Sequence, residues 1–315
     1  DGMDIMEGEK YHSPLMPFGG IEQITWTPDG QYIAYTCKKL TGMASAKSTN
    51  SDIYLYRIVT GETKNLTEGN MGYDMNPQFS ADGKYMFYQS MERDGYESDK
   101  NRLMVLDMTT GERRDLTAKS ELSVATFAIE ADGKAAWFIA DHHAKENIYN
   151  IDVATGEIKQ LTNDICDYTA VIAGNDKLIA TRMSMSAPTE IYAIDKTSGE
   201  SKALTDINRP IFDKLCMGDV EERWIETTDG KKMLTWVIYP PHFDKNKKYP
   251  AILYCQGGPQ STVSQFWSLR WNMQLMASNG YIIVAPNRRG LPGFGIEWNE
   301  QISGDYGGQN MKDYL

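Results

Sequence analysis

A repeated pattern of strand and turn residues is the feature of this sequence that most constrains its fold. Four segments share one wording: "DIYLYRIVTGETKNLT", "RLMVLDMTTGERRDLT", "NIYNIDVATGEIKQLT" and "EIYAIDKTSGESKALT". Their turn glycines are Gly61, Gly111, Gly156 and Gly199. The Leu-Thr pairs that close them begin at Leu66, Leu116, Leu161 and Leu204. Both sets are spaced by 50, 45 and 43 residues, so the four segments are interpreted as copies of one structural unit.

Each unit also contains an earlier turn, in "TPDGQYIAY", "SADGKYMFY", "EADGKAAWF" and the looser "AGNDKLIAT". An Asp-Gly pair between alternating runs predicts a hairpin, and Thr-Gly-Glu predicts a second one. Each unit is therefore expected to form four short antiparallel strands. Such a unit, repeated at this spacing, is typical of a β-propeller blade. The sequence predicts four blades of a partial β-propeller in residues 1–206; a β-sandwich is the alternative.

The pattern changes after residue 206, and residues 207–219 are predicted to form a linker. "EERWIETTDGKKMLTWVIYPP" predicts a hairpin around Asp229-Gly230. "YPAILYCQ" and "YIIVAP" are apolar runs expected of strands buried on both faces. "GGQNMKDYL" predicts a helix at the end of the chain. Strands alternating with helices predict an α/β sheet with parallel neighbours in residues 220–315.

The segment "SLRWNMQLMASNG" predicts another helix between those two strands. Its apolar residues near helical spacing are Leu269, Met273, Leu275 and Met276. Gly280 is the expected C-terminal cap, because glycine adopts the left-handed backbone conformation that often ends a helix.

The composition narrows the range of partners. A net charge of −11 at pH 7 argues against nucleic acid and anionic membranes, which call for basic patches, and favours cationic ligands such as peptide amino termini. The apolar runs are much shorter than the roughly 20 residues that span a bilayer, so no membrane insertion is expected. No signal peptide is found, but the chain opens with "DGMDIM" instead of a start methionine, so its first residues are interpreted as internal.

The sequence also excludes several kinds of chemical site. The four cysteines show no C-x-x-C spacing and are predicted to be buried or inert thiols. The adjacent histidines His142 and His143 are expected in a solvated loop, and no metal site is predicted. No P-loop and no G-x-G-x-x-G after a strand is present, so neither of these phosphate-binding loops is expected. The chain also lacks the G-x-S-x-G motif of an α/β-type serine hydrolase.

The turn "YCQGGPQS", residues 254–261, follows the predicted strand "PAILY". Glycines leave backbone N–H groups open to a ligand, and a developing oxyanion needs such donors about 2.7–3.1 Å away. Pro259 is expected to stiffen the turn, because its ring fixes one backbone angle. A plain turn at the end of a strand is the alternative interpretation.

Further motifs downstream favour the oxyanion interpretation. Gly257-Gly258-Pro259 is followed by Arg289-Gly290, then by Gly293-Phe294-Gly295 and by Gly304-Asp305-Tyr306-Gly307. In this order and spacing the sequence resembles the prolyl oligopeptidase family of serine peptidases, loosely over the repeats and specifically over residues 248–315. The amino-acid sequence of these motifs is most similar to that of a dipeptidyl-peptidase branch in Bacteroidetes-type bacteria. The resemblance implies a β-propeller joined to an α/β-hydrolase domain, whose first part is residues 220–315.

The resemblance also implies site residues. The Gly258 N–H is expected to donate to the oxyanion. Gln256 stands where relatives often carry tyrosine or histidine, and is expected to position the turn or to act as a second donor. The chain ends before the nucleophile elbow, so the triad of serine, aspartate and histidine is not in it. This polypeptide alone is therefore expected to be inactive.

An exopeptidase must hold the ammonium group of its substrate, and a carboxylate in a low dielectric suits that task. The acidic insertion "SMERDGYESDKN" of the second repeat offers Glu92 and Glu97, with Tyr96 as an aromatic wall. A solvated charged loop is the alternative.

The adjacent arginines Arg288 and Arg289 lie at the end of a predicted strand. They are predicted to be structural residues tied to carboxylates such as Glu297 or Asp305. Substrate binding is the alternative.

The leading hypothesis is a periplasmic serine exopeptidase that releases dipeptides from short peptides with a free amino terminus. An acylaminoacyl-peptidase or oligopeptidase of the same family is the second hypothesis. The third is a non-catalytic propeller that binds protein partners, for which no G-x-S-x-G is expected downstream. The total number of blades and a homodimeric state are left open.

Overall fold

The computed structural model describes residues 2–258 and 260–315. These residues fall into two compact units. The first contains the residues up to Val124 with Ile129–Ala136 and Ile151–Ile158, and the second contains Ala125–Ala128, Trp137–Asn150 and Lys159–Leu315. The division passes through the third repeat, which contributes to both units. The boundaries predicted at residues 206 and 220 stay predictions.

Each repeat forms four strands. They are β1 Ile24–Trp26, β2 Tyr32–Cys37, β3 Asp52–Arg57, β4 Thr63–Asn65, β5 Asp74–Phe79, β6 Tyr85–Ser90, β7 Arg102–Asp107, β8 Arg113–Asp115, β9 Val124–Ile129, β10 Ala135–Asp141, β11 Glu146–Asp152, β12 Ile158–Gln160, β13 Asp167–Ala173, β14 Lys177–Ser184, β15 Ala187–Asp195 and β16 Ser201–Ala203. The first two repeats are separate antiparallel sheets, ordered β1-β2-β3-β4 and β5-β6-β7-β8. The last two form one eight-stranded sheet, ordered β16-β15-β14-β13-β11-β10-β9, in which β12 pairs with β11. The predicted four-stranded unit is confirmed.

The Leu-Thr pair closes every repeat in the same way. In the first repeat Leu66 N donates to the Ile53 carbonyl at 2.8 Å, and Ile53 N donates to Thr67 Oγ1 at 3.0 Å. The equivalent bonds join Leu116 and Thr117 to Leu103, Leu161 and Thr162 to Ile148, and Leu204 and Thr205 to Ile191. The repeated sequence motif therefore encodes one local hydrogen-bond pattern.

The turn glycines adopt a positive φ, which glycine accepts without strain. Gly111 has φ +77° and Gly199 has φ +72°, and each donates its N–H to an aspartate carbonyl four residues earlier. The space around them differs. A Cβ at Gly111 would meet nothing within 4 Å, whereas one at Gly199 would clash with the Leu161 carbonyl oxygen.

Apolar side chains from facing strands form a separate core in each part. The first unit buries Ala34, Ile53, Leu66, Met86, Tyr88 and Leu106. In the second unit, one cluster from the third and fourth repeats centres on Trp137, Ile139, Ile148, Tyr168, Leu178 and Ile194. Another fills the carboxyl-terminal region with Leu234, Trp236, Ile238, Val263, Met273, Ala277, Ile283 and Ala285.

The carboxyl-terminal region contains a four-stranded sheet, ordered β17-β18-β20-β19. Its strands are β17 Val220–Glu226, β18 Lys232–Ile238, β19 Ala251–Leu253 and β20 Ile282–Pro286. β17 and β18 form the antiparallel hairpin predicted around Asp229-Gly230, and β19 runs parallel to β20. The predicted α/β arrangement with parallel neighbours is therefore confirmed. The helices of the chain are α1 Gly42–Lys47, α2 Arg209–Phe212, α3 Met273–Ser278, α4 Ile296–Glu300 and α5 Gln309–Tyr314, with a 3₁₀ turn at Ile21–Gln23.

Two details of the α/β prediction are wrong. β19 is not buried on both faces, because it lies at the edge of this sheet and Leu253 is 44% exposed. The helix does not begin before Met273, because Asn272 caps it by accepting the N–H of Leu275. Leu269 therefore lies outside α3, and Leu275 is exposed instead of packed.

No helix in the described residues is long and apolar enough to cross a bilayer. Cys37 and Cys166 are buried, and burial raises the pKa of their thiols to about 11 and about 12. These two agree with the expectation of buried thiols. Cys216 and Cys255 are exposed, so for these two the expectation of inert thiols stays a prediction.

Candidate functional site

The Gly-Gly turn, residues 256–261, follows β19 by two residues and exposes its backbone. Gly257 and Gly258 are both exposed, and a Cβ at Gly257 would meet nothing within 4 Å. Gly258 has φ +137°, where a side chain is strained. The turn therefore needs glycine at Gly258 and leaves open space beside Gly257. Pro259, expected to stiffen the turn, lies outside the described residues.

Gln256 stabilises this turn through hydrogen bonds of its side chain and its carbonyl group. Its Nε2 donates to Ser261 Oγ at 2.9 Å. Its carbonyl oxygen accepts from Arg288 Nη2 at 2.9 Å and from the Tyr314 hydroxyl at 3.4 Å. One amide proton of Gln256 is thus used inside the turn, and among the described residues only this bond is seen for the side-chain nitrogen.

The chain just after the turn is held by Asn287. Val263 N donates to Asn287 Oδ1 at 2.9 Å, and Asn287 Nδ2 donates to the Val263 carbonyl at 3.1 Å. Asn287 is fully buried and directly follows β20. Sequence analysis missed it, although a polar residue at the carboxyl end of a buried strand was a usable signal.

The paired arginines are structural, as predicted, but their partners differ. Arg289 is 3% exposed; its Nη1 donates to Asp229 Oδ2 at 2.6 Å, and its Nε lies 3.2 Å from Asp313 Oδ2. The pKa of Asp229 is lowered by this bond to Arg289. Glu297, one of the predicted partners, pairs with Lys231 instead. The carboxylate partners come from the turn between β17 and β18, with Asp229, and from α5, with Asp313. Their distance from Arg289 along the chain gave no indication of this pairing.

Three carboxylates of the second unit are shielded from solvent to different degrees: Asp167 is buried, and Asp141 and Glu146 are half-buried. Burial raises the pKa of Asp141 to about 7, that of Asp167 to about 6 and that of Glu146 to about 8. Both carboxylate oxygens of Asp141 are buried. Asp167 accepts the Ser264 hydroxyl at 2.6 Å. Nothing in the local sequence distinguished these residues from the many exposed acids.

The acidic insertion of the second repeat is an ordered loop. Asp99 accepts the backbone N–H groups of Glu92 and Arg93, and it forms a 2.6 Å ion pair with Arg93. Tyr96 lies against the Arg93 guanidinium, 3.9 Å from ring centroid to Cζ. Glu92–Gly95 and Glu97 are exposed, so the alternative of a solvated charged loop stays open.

One of the predicted carboxylates lines a cavity in the first unit. The cavity has a volume of ≈480 Å³, and its lining includes Tyr11, Tyr73, Asn76 and Glu97. Glu92 and Tyr96 are not part of this lining; Glu92 instead lies 3.9 Å from Arg102. Of the three residues predicted for ammonium binding, Glu97 lines this cavity and the other two do not.

The adjacent histidines differ in their surroundings. His142 is exposed, whereas His143 packs edge-on against Trp224, at 5.1 Å between ring centroids, and beside Phe294. Desolvation lowers the pKa of both imidazoles. The solvated-loop prediction is therefore wrong for His143. No group of three or more metal-binding side chains occurs in the part of the chain that the structure describes.

The chain is similar in sequence to known peptidases. Residues 267–315 match the prolyl oligopeptidase family. The chain is 54% identical over 314 residues to dipeptidyl-peptidase 5 of Porphyromonas gingivalis, covering 100% of this chain and 46% of that protein. It is 53% identical to dipeptidyl-peptidase 5 of Porphyromonas endodontalis, covering 45% of that protein. The chain thus spans under half the length of these curated relatives. The expected resemblance to the type 5 dipeptidyl-peptidases of such bacteria is confirmed.

Solved structures of peptidases share the fold. The acylaminoacyl peptidase of Pyrococcus horikoshii has a TM-score of 0.77 at 24% identity, covering 92% of this chain and 43% of that one. Dipeptidyl peptidase 4 of Porphyromonas gingivalis has a TM-score of 0.64 at 19% identity, covering 89% of this chain and 39% of that one. Most of the described fold is therefore one that peptidases use.

Proposed function

Because residues 267–315 of this chain match the prolyl oligopeptidase family, we propose that it is part of a serine exopeptidase of that family. The enzyme releases dipeptides from the amino terminus of short peptides through an acyl-enzyme intermediate. The observation that carries the proposal is the 54% identity to a dipeptidyl-peptidase over the whole chain. The repeats are proposed to be blades of a β-propeller and residues 220–315 to be the start of an α/β-hydrolase domain.

The chemistry assigned to this chain is electrostatic. The exposed Gly258 N–H donates to the oxyanion that forms when serine attacks the peptide carbonyl. Gln256 is proposed to position that turn, with its second amide proton as a further donor. The nucleophile, its base and the orienting carboxylate are proposed to lie outside this chain.

Glu97 is the residue proposed to bind the substrate's ammonium group, because it lines a cavity. Glu92 and Tyr96 are proposed to contribute less, since both already have partners in the ordered loop. In the full-length protein, Glu97→Gln should raise KM for a dipeptide reporter with a free amino terminus by about 10-fold, as expected for a lost charge-assisted hydrogen bond. Glu92→Gln is the comparison variant and should raise KM by a smaller factor.

The decisive experiment uses two reporters on the full-length protein. A dipeptidyl p-nitroanilide with a free amino terminus should be cleaved, and its amino-acylated counterpart should not. Cleavage of the acylated reporter alone would replace the proposal with an acylaminoacyl-peptidase, which the fold shared with the Pyrococcus horikoshii enzyme favours. Absence of G-x-S-x-G in the roughly 50 codons after Leu315 would favour a non-catalytic binding protein.

The cell compartment and the assembly state are proposed from the same resemblance. The full-length protein is proposed to be periplasmic and to act without a metal or organic cofactor. Osmotic-shock fractionation of the producing bacterium would test the location; retention with the cytoplasmic marker would contradict it. Sedimentation would distinguish a monomer from a homodimer.

A further inference from the structure

The segment that follows the Gly-Gly turn is fixed by a buried carboxylate. Asp167, the first residue of β13, is 1% exposed. Its Oδ2 accepts the Ser264 hydroxyl at 2.6 Å, and its Oδ1 accepts the Gln265 N–H at 3.1 Å. Ser264 and Gln265 are themselves buried. Both oxygens of one carboxylate therefore hold two consecutive residues in place.

Asn287 fixes the residue just before them. Its side-chain amide forms the two hydrogen bonds with Val263, and its own N–H donates to the Leu234 carbonyl on β18 at 2.8 Å. Asn287 thus links Val263 to the buried strand β18 by paired hydrogen bonds of the kind that join neighbouring strands. Such a paired contact restrains both position and orientation.

The other end of the turn is fixed by the next residue along the chain. Arg288 Nη2 donates to the Gln256 carbonyl at 2.9 Å, and Arg288 is 4% exposed. Two consecutive residues after β20 therefore hold the chain on both sides of Gly258. Asp167 extends the restraint beyond Val263.

Resting on the proposed peptidase function, we propose that Asp167 and Asn287 are positioning residues for the Gly258 N–H. They do not touch substrate. They hold Val263, Ser264 and Gln265, and so keep the exposed amide of the turn where an oxyanion develops. A preorganised donor needs no rearrangement during the reaction, and a misplacement of about 1 Å can lower the rate about 100-fold.

The test measures kinetics of the full-length protein on a dipeptidyl p-nitroanilide. Ser264→Ala removes one hydrogen bond to Asp167 and should lower kcat about 10-fold, with KM within about 2-fold of wild type. Asp167→Ala removes both bonds and should lower kcat about 100-fold. Asp167→Asn retains an acceptor for the Gln265 N–H and should recover part of that loss.

The matched control is Thr169→Ala, two residues along β13. The Thr169 hydroxyl contacts the Thr181 hydroxyl at 2.7 Å on an exposed face, so this variant should keep wild-type kcat. A dipeptidyl boronic acid, whose tetrahedral adduct needs the oxyanion donor, should bind the Ser264→Ala variant about 10-fold more weakly. The product dipeptide, which needs no such donor, should bind it as it binds wild type.

The outcomes separate the two proposals. Wild-type protein that cleaves no peptide reporter would overturn the proposed function and this inference with it. The positioning role alone would be overturned if wild type is active and the Ser264→Ala and Asp167→Ala variants match Thr169→Ala. The match would have to hold for kcat and for boronic acid affinity. Equal loss of boronic acid and product binding would also overturn it, because that pattern indicates general damage.

Discussion

The side-chain amide of Gln274 pairs with both backbone groups of Gly218. Its Oε1 accepts the Gly218 N–H at 2.9 Å, and its Nε2 donates to the Gly218 carbonyl at 2.8 Å. Gln274 lies on α3 and is 4% exposed, so the pair ties the end of the predicted linker to a helix.

Gln274→Met keeps the size of that side chain but leaves the two Gly218 backbone groups unpaired. The free energy of unfolding should fall by about 2–4 kcal/mol, as expected for buried groups without partners. Urea unfolding measures the change. Leu275→Ala, one position along on the exposed side of α3, should change it by less than about 0.5 kcal/mol. Equal effects of the two variants would contradict the prediction.

Arg289→Met should destabilise the chain more than removal of an exposed arginine. Arg289 is buried beside Asp229 and Asp313, so its loss leaves a buried carboxylate without compensation. A loss of about 3–5 kcal/mol is expected. The exposed pair of Arg223 and Glu221 provides the control, and Arg223→Met should cost at most about 1 kcal/mol. Thermal unfolding of both variants gives the comparison.

Stability should decrease as pH rises from about 4 to about 8. Asp141, Asp167 and Glu146 have folded-state pKa values of about 7, 6 and 8, above unfolded values near 4. The folded chain therefore keeps protons that the unfolded chain releases. Their stabilising contribution is complete below the unfolded pKa and is lost as pH rises through the folded pKa.

Asp141→Asn should flatten this dependence, by up to about 1.4 kcal/mol per pH unit between its unfolded and folded pKa. Thermal unfolding midpoints of wild type and variant at pH 5, 6, 7 and 8 provide the test. Asp195→Asn is the control, because the pKa of Asp195 is lowered and this residue does not titrate in that range. Parallel curves for wild type and Asp141→Asn would show the prediction to be wrong.

Two glycines at the same position of different repeats should respond differently to alanine. Gly111→Ala should cost about 1–2 kcal/mol, the price of positive φ alone. Gly199→Ala should cost more, because its Cβ also clashes with the Leu161 carbonyl. Urea unfolding of the two variants distinguishes the effects, and equal losses would show that the turn at Gly199 relaxes freely.

Gly258→Ala should lower kcat of the full-length enzyme by about 100-fold, whereas Gly257→Ala should have a small effect. A Cβ at Gly258 would lie 3.1 Å from the Gln260 N and 3.3 Å from the Ser261 Cβ, in a strained backbone. The amide would then turn away from the oxyanion, and loss of one such donor costs about 10²–10³ in rate. A larger loss of kcat for Gly257→Ala than for Gly258→Ala would indicate that the Gly257 N–H is the oxyanion donor.

Local patterns allowed most of the secondary structure to be predicted, whereas contacts between distant segments were not predictable. The hairpins follow from Asp-Gly and Thr-Gly-Glu, because those turns depend on a few adjacent residues. β19 was predicted to be buried because apolar composition does not reveal the edge of a sheet. Glu297 was proposed as a carboxylate partner of Arg289 because the two residues are near each other in sequence. The actual partner Asp229 comes close only through the hairpin of β17 and β18.

The site was predictable to a similar degree. Gly258 and Gln256 stand in a recognisable motif, and the predicted turn is present with exposed glycines. Asp167 could not be found in this way, because a carboxylate about 100 residues before the turn resembles any other strand-end acid until the chain folds. Only the structure shows that its two oxygens hold Ser264 and Gln265.

The Leu-Thr closure of the repeats also bears on how the chain folds. In all four repeats the threonine hydroxyl receives an N–H from a residue 14 positions earlier. The entropy lost on forming a loop depends on its length, so the four closures have nearly the same cost. Contacts this short in sequence favour fast formation. The last two strands of each repeat can therefore pair during synthesis, before the following repeat has left the ribosome.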